Sequence, residues 1–409
     1  MITRLEVDGF KSLRNFAVDL EPFTVFIGPN SAGKSNILEA LGLLSRLARM
    51  PIVEAFKGGR GRTIDQFTRT GSTNVKSMRF AVEFFEYEPW PRPAEFQTRY
   101  RHELTLEVRE TQRGVLRLGV QSERFIAMHR DDDRWIERHP EFEHCAGYAD
   151  AGTEFIATQN SSENSIALRK INLEFCLLHV DAMQLGQPSE RTDADGLAAD
   201  ASNLPTILAG LPDSALGAIR AELVALVPGI ASIDILPDKD DFRIEFELSG
   251  GERLPARLVS DGTLRILALL TALQLEPRPD ILGIEEPENG VFPGRLRVLL
   301  EILRKASQEH ITVAEAQARR GQTTPDSGNL TINYRAPQIL LTTHSPVVLS
   351  ALLSEPRHLR FIDMVRRNGE RVTRARTVGP VTSPQEGRFI ISPREIEAIL
   401  DTEHGEAAE

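Results

Sequence analysis

The chain has 409 residues, 41% of them hydrophobic, with a formal net charge of −11. That length supports two or three compact units around a sizeable core, and the acidic balance excludes a surface that attracts nucleic acid everywhere, leaving only a local basic patch open. Two cysteines, Cys145 and Cys176, are too few for a disulfide framework or a zinc site. The longest apolar stretch, around residues 266–275, is too short to span a bilayer, and early charges at Arg4, Glu6 and Asp8 argue against a signal peptide, so a cytoplasmic setting with no membrane partner is expected.

The first thirteen residues begin with alternation, apolar at Ile2, Leu5 and Val7. Residues 23–27, Phe-Thr-Val-Phe-Ile, are β-branched and aromatic and predict a buried strand. Directly after it stand Gly28, Pro29, Asn30, Ser31, Ala32, Gly33, Lys34 and Ser35, followed by Asn36. Residues 28–35 match G-x-x-x-x-G-K-[ST], a loop whose backbone N–H groups cradle phosphates. Ile37, Leu38, Leu41, Leu44 and Leu47 then recur at helical spacing. Strand, glycine loop and helix is the order this chemistry needs, because the helix N-terminus adds partial positive charge at the anion. Lys34 is expected to reach the β- and γ-phosphates of ATP, and the Ser35 hydroxyl to ligate Mg²⁺.

From about residue 75 the period shifts towards two. Phe80, Val82 and Phe84, then Leu104, Leu106 and Val108, then Leu116, Leu118 and Val120 predict antiparallel hairpins, with a proline-rich loop at 88–93. Residues 127–165 are polar and weakly patterned; 171–180 predicts a further strand. A helical pattern covers 197–227, with apolar positions at Leu204, Ile207, Leu208, Leu211, Leu216, Ile219, Leu223 and Leu226. Strands follow at 230–236 and 242–248, a helix at 264–275, a strand at 281–284, a helix at 296–305 and a strand at 338–342. Residues 319–330 are expected to form a flexible loop, and the acidic stretch after Asp401 an unstructured tail.

Two strand ends carry chemistry. The strand at 281–284 runs into Glu285, Glu286, Pro287 and Glu288. In P-loop ATPases the acid at such a strand end holds the Mg²⁺ shell and the next polarises the attacking water; here Glu285 stands where an Asp is usual. The bland alternative is an acidic helix start with Pro287 in its first turn. The strand at 338–342 runs into His344. Parallel strands of open α/β sheets deliver their C-terminal ends to the ligand crevice, so His344 is expected near the γ-phosphate; a plain strand-end histidine is the alternative.

These motifs occur in a telling order. The P-loop, Ser260-Asp261-Gly262, Ile284-Glu285-Glu286-Pro287-Glu288 and Thr343-His344-Ser345 resemble the ABC-type ATPases of the SMC, RecF and OLD group. Val7-Asp-Gly-Phe-Lys-Ser-Leu13 and Asn30 are similar to that group too, and 195–204 resembles the helical insert of its compact stand-alone members, often called predicted AAA-type ATPases. The resemblance covers most of residues 1–365. It implies an ABC-type P-loop NTPase core, a mainly parallel sheet flanked by helices, with an antiparallel β sub-lobe and a helical insert. It implies catalytic roles for Glu286, His344 and Lys34, nucleotide contacts from residues 28–36, Lys11, Ser260, Asp261 and Gly262, and metal contacts from Ser35, Glu285 and a glutamine. Gln184 is the candidate for that glutamine, with Gln187 and Gln159 as alternatives.

A rival signature, Leu248-Ser-Gly-Gly-Glu-Arg253, is closer in letters to the group's usual Leu-Ser-Gly-Gly-Gln. A signature loop must open a helix aimed at phosphate, and Pro255 follows too soon for that. That segment reads instead as a hairpin turn between 242–248 and 256–259, while Ser260 leads straight into an apolar helix. In the group the signature of one subunit completes the nucleotide site of another. The resemblance therefore implies a homodimer, or a higher oligomer, that sandwiches ATP and hydrolyses it as a switch, in bacterial antiphage defence or genome maintenance with a separately encoded effector protein.

The expected organisation is a P-loop half at 1–74, a β-rich lobe at 75–185, a helical insert at 190–230, the second half of the core at 231–400 and a tail at 401–409. No coiled coil separates P-loop and signature, and with 65 residues after His344 a nuclease domain of the OLD kind is not expected there. Residues 307–336 read as an insertion. Seven arginines lie between 357 and 376; they read as a solvated strand pair turning at Asn368-Gly369, with a DNA contact as the alternative. Two other readings stay open: a RecF-like DNA-binding repair ATPase, and a nucleotide-gated scaffold with little turnover.

Overall fold

The computed structural model describes residues 1–71, 73–85, 99–131, 134–145, 174–192, 194, 196–308, 336–367, 369–381 and 386–406. Gln159, Asn368, the loops expected at 88–93 and 319–330 and most of 307–336 lie outside them. The chain divides into two compact units, one made of Met1–Phe175 with Glu355–Glu409, the other of Cys176–Ser354. Among the described residues no helix is long and apolar enough to cross a membrane.

The first unit opens with β1 (Ile2–Asp8), β2 (Phe16–Asp19) and β3 (Phe23–Ile27), then α1 (Lys34–Leu47), α2 (Ile52–Lys57) and a small pair, β4 (Arg69–Thr70) with β5 (Thr73–Asn74). Long strands follow: β6 (Ser77–Phe85), β7 (Arg99–Glu110), β8 (Leu116–Asp131) and β9 (Arg134–Cys145). They join β1 and β2 in a six-stranded sheet, ordered β2-β1-β6-β7-β8-β9, antiparallel throughout. The hairpins expected from 75 onward are present, and β8 and β9 extend them into the stretch whose composition shows little pattern. The lobe also takes in β1 and β2, so its boundary is not at residue 75.

Alternation gives this sheet two chemical faces. Phe84, Tyr100 and Phe125 pack together on the buried face, with ring centroids 5.1–6.1 Å apart. The other face carries a ladder in which Arg101 bonds Glu6, Glu83 and Glu103. Burial alone would raise the Glu6 carboxyl, but hydrogen bonds from Arg101 and Arg4, and their charges, outweigh it and hold the group at about 2.

β10 (Phe175–Leu178) leads into the second unit, followed by α3 (Ala182–Leu185) and β11 (Ser189–Glu190). The helical run expected over 197–227 is two helices, α4 (Leu204–Gly210) and α5 (Asp213–Leu226). The break falls at Leu211, extended at φ −73° and ψ 148°, because Pro212 disfavours the helical region in the residue before it. Next come β12 (Ile230–Asp238), β13 (Asp241–Leu248) and β14 (Arg253–Pro255), a meander in which Gly251 turns at φ +80°. Gly250-Gly251 is thus a hairpin turn, but its return strand is Arg253–Pro255, and 256–258 is a 3₁₀ turn rather than a strand. The buried helix α6 (Asp261–Ala272) leads to β15 (Ile281–Glu285), α7 (Pro293–Ala306), β16 (Gln338–Thr343) and α8 (Pro346–Leu352). β15 neighbours β10 and runs parallel to β16, every residue of β15 and β16 being buried.

The chain then returns to the first unit. β17 (Leu359–Arg367) pairs parallel with β3, Phe361 opposite Ile27, and antiparallel with β18 (Glu370–Val378). β19 (Ile390–Ile391) follows, and α9 (Pro393–Glu406) ends the described chain. The tail expected to be unstructured from Asp401 is helical through Glu406; Ile396 and Leu400 are fully buried on the same helix, and that anchoring carries the polar turns beyond them.

Candidate nucleotide site

In the first unit the phosphate loop leaves β3, whose five residues are all buried. Gly28 has no room for a side chain: a Cβ there would lie 1.9 Å from the Ile362 carbonyl oxygen on β17. Ser31 at φ +60° and Gly33 at φ +95° turn the backbone through the left-handed region, which points successive N–H groups to one side. Gly33 caps α1, and this 14-residue helix has no side-chain cap and no acid in its first turn. Its first N–H groups and dipole are therefore available to an anion.

Lys34 is buried, and its Nζ donates to the carbonyls of Gly28 and Pro29, 2.7 Å each. Asn30 and Ser31 are exposed, Ala32 is buried, and Pro29, Ser35 and Asn36 are half-buried. Lys11, at φ +45°, pairs with the buried Glu39 of α1, and its ammonium lies 5.7 Å from the Phe10 ring centre. Ser12 and Thr373 reach this loop as well, and nothing in the motif announces Thr373.

In the second unit the neighbouring strands β10, β15 and β16 bring several groups together. Glu285 ends β15 at 3% exposure, and His179 Nδ1 lies 2.5 Å from its Oε2. Gln184, the candidate for the metal-contacting glutamine, is exposed on α3; Gln187 donates weakly to the Met183 carbonyl. His179, one residue past β10, is thus a neighbour of Glu285 that no motif announced, and a histidine at a strand end was the available signal.

Glu286 sits at φ +47°, a conformation that costs a non-glycine residue about 1–2 kcal/mol. It is held there by its N–H to the Thr342 carbonyl, 2.9 Å, and by Asn289 Nδ2–H donating to its carboxylate, 2.8 Å. His344 Nδ1 lies 3.5 Å from both Glu286 Oε1 and Glu288 Oε1. Glu288 orients the turn: its Oε1 accepts from the Thr343 hydroxyl at 2.6 Å and the His344 N–H at 3.1 Å. Arg265 of α6 donates to the Val180 carbonyl at 3.0 Å. Burial pulls its guanidinium down, while the charges of Glu288, Glu286, Asp261 and Asp181 oppose that.

Ser260 caps α6, its Oγ accepting from the Thr263 N–H. Ser260 and Asp261 are exposed, whereas Gly262 is buried and a Cβ on it would stand 2.0 Å from the Gly290 carbonyl oxygen. That glycine is required by the close approach of the turn after Glu288. Of the seven arginines at 357–376, Arg360 is buried, and Arg374 and Arg376 both bond Asp363; Arg366, Arg367 and Arg371 are exposed near the end of the β17–β18 hairpin.

The profile of the family described as "AAA domain, putative AbiEii toxin, Type IV TA system" matches residues 23–350. Among solved structures, the fold is similar to an Smc head bound to the C-winged helix domain of ScpA, at TM-score 0.52 and 15% identity over 91% of this chain and 97% of the other. It is also similar to the Smc head with a coiled coil and joint from Pyrococcus yayanosii, at TM-score 0.51 and 12% identity over 98% and 99%. A third is the Pyrococcus furiosus Smc head with an extended coiled coil, bound to the C-terminal domain of ScpA, at TM-score 0.50 and 15% identity over 92% and 96%. The α/β fold is thus that of an SMC head, built on an ABC-type P-loop NTPase core.

Proposed function

The chain belongs to this AAA-domain family of P-loop ATPases, and on that premise we propose that it binds ATP with Mg²⁺, dimerises on ATP and hydrolyses it as a conformational switch. The observation that carries the reading is the cluster at the ends of β15 and β16, where Glu286 is held in a costly backbone conformation beside His344. Such strain persists where surrounding bonds impose it, and it concentrates at active sites.

The residues suit the groups they would hold. An uncapped helix N-terminus, two left-handed loop residues and a buried lysine make an anion cradle. Lys34 would exchange its two carbonyl partners for phosphate oxygens, and backbone N–H groups of the loop beyond Pro29, up to Asn36, would bind the rest. On the first unit Ser35 would ligate the cation; on the second, Glu285, with His179 beside it, is the strand-end acid suited to a cation shell. Bound Mg²⁺ would neutralise charge on the phosphates. Glu286 would accept a proton from the attacking water while His344, oriented by Glu288, positions it. Ser260, Asp261 and Gly262 would meet the nucleotide of a partner chain.

The family description supports a toxin–antitoxin or defence setting with a separate partner protein, and the ScpA complexes of the similar Smc heads support a protein-binding role. A DNA-repair role is favoured by one observation, the exposed Arg366, Arg367 and Arg371; loss of duplex binding in Arg366→Glu/Arg367→Glu tests it. The main test is phosphate release and light scattering with ATP and Mg²⁺. Lys34→Ala should abolish binding or turnover, and Glu286→Gln should retain ATP and accumulate dimer. Wild-type turnover in Glu286→Gln would sink the assignment of the base.

A further inference from the structure

We propose that Thr373, 341 residues from the loop it touches, is a positioning residue of the phosphate loop. This rests on the reading that residues 28–36 bind nucleotide. Thr373 lies on β18, is 2% exposed, and its backbone N–H donates to the Ser12 carbonyl at 3.0 Å. Its side chain closes a hydrogen-bond relay across three segments. Asn36 Nδ2–H, in the first turn of α1, donates to Ser12 Oγ at 2.7 Å. Ser12 Oγ lies 2.6 Å from Thr373 Oγ1, and Thr373 Oγ1–H donates to the Ala32 carbonyl at 2.9 Å. The directions are determined by bookkeeping of protons. Thr373 spends its single hydroxyl proton on Ala32, so the Ser12 proton must point at Thr373, and Ser12 accepts from Asn36.

The end of that relay has a consequence for anion binding. In a trans peptide the C=O and the following N–H point in opposite directions, and the Ala32–Gly33 bond is trans. Holding the Ala32 oxygen on Thr373 therefore aims the Gly33 N–H away from β18, to the opposite side of the loop. The same contact explains Gly33 beyond its φ of +95°. A Cβ there would lie 2.1 Å from Thr373 Oγ1 and 2.7 Å from Ser12 Oγ. Thr373 acts on the loop backbone; it is not a catalytic residue.

The test compares Thr373→Val, which keeps the shape and removes the hydroxyl, with Thr373→Ser, which keeps the hydroxyl. A fluorescent ADP analogue reports affinity, and melting with and without ADP reports folding. Thr373→Val should weaken binding about tenfold, since a broken buried relay leaves an acceptor and a donor unsatisfied; Thr373→Ser should bind like wild type. Ser12→Ala should weaken binding too, and the double variant should lose no more than Thr373→Val alone, because both cut one relay. Should Thr373→Val fail to fold, Ser12→Ala and Thr373→Ser carry the comparison. Unchanged affinity in folded Thr373→Val, or equal loss in Thr373→Ser, would overturn the assignment. Wild-type protein that binds no nucleotide would instead remove the phosphate-loop reading beneath it.

Discussion

The seat of the phosphate loop on β17 can be tested with one methyl group. In Gly28→Ala the new Cβ would stand 1.9 Å from the Ile362 carbonyl oxygen and 3.0 Å from its carbon. Both are backbone atoms of a strand paired with β3 on one side and β18 on the other, so neither can rotate away. Relief requires loop and strand to part by about 1 Å, at an overpacking cost of about 3 kcal/mol. For a unit of this size each kcal/mol lowers the melting temperature by about 2–4 °C, giving a drop of about 6–12 °C. Differential scanning calorimetry reads the drop, and titration with ADP should show weakened binding, because the displaced residue begins the phosphate loop. Gly217→Ala is the matched control: it lies inside α5 with nothing within 4 Å of the added Cβ. A Gly28→Ala protein that melts with wild type and binds ADP normally would refute the close approach and the anchoring argument built on it.

Gly217→Ala itself should stabilise by about 0.5–1 kcal/mol in urea titration, from helix propensity alone. Glu6 gives a pH dependence. Its folded value of about 2 lies below the ordinary 4.5, so its contribution is complete above that ordinary value and is lost as pH falls from there through about 2. Urea midpoints of Glu6→Gln should therefore fall less than those of wild type across that acid window. Asp363→Asn takes a full charge from Arg374 and Arg376 and should cost about 1–3 kcal/mol, whereas Asp19→Asn, at the exposed Arg4 pair, should stay within about 0.5 kcal/mol. Glu288→Ala should lower kcat about tenfold or more with little change in ATP affinity, since it releases the His344 N–H and the Thr343 hydroxyl.

Elements whose signal is local could be read from the order of residues alone. Phe23–Ile27, the loop at 28–35 and α1 were legible because a buried strand, a glycine loop and a 3.6-residue period each leave a mark within a few residues. So were β15 and β16 with Glu285, Glu286 and His344 at their ends, and the helix that opens at Ser260 where the glycine pair at 250–251 makes a turn. The rest depends on contacts between distant segments. The φ of Glu286, the seating of His179 on Glu285, the pairing of Lys11 with Glu39 and the reach of Thr373 to Ala32 depend on residues tens to hundreds of positions apart. The return of 355–406 to the first unit depends on β17 pairing with β3. Local patterning sets which backbone each segment prefers. Which side chain then meets which is set by strand pairing, and that pairing is a long-range choice made by burying the apolar faces together.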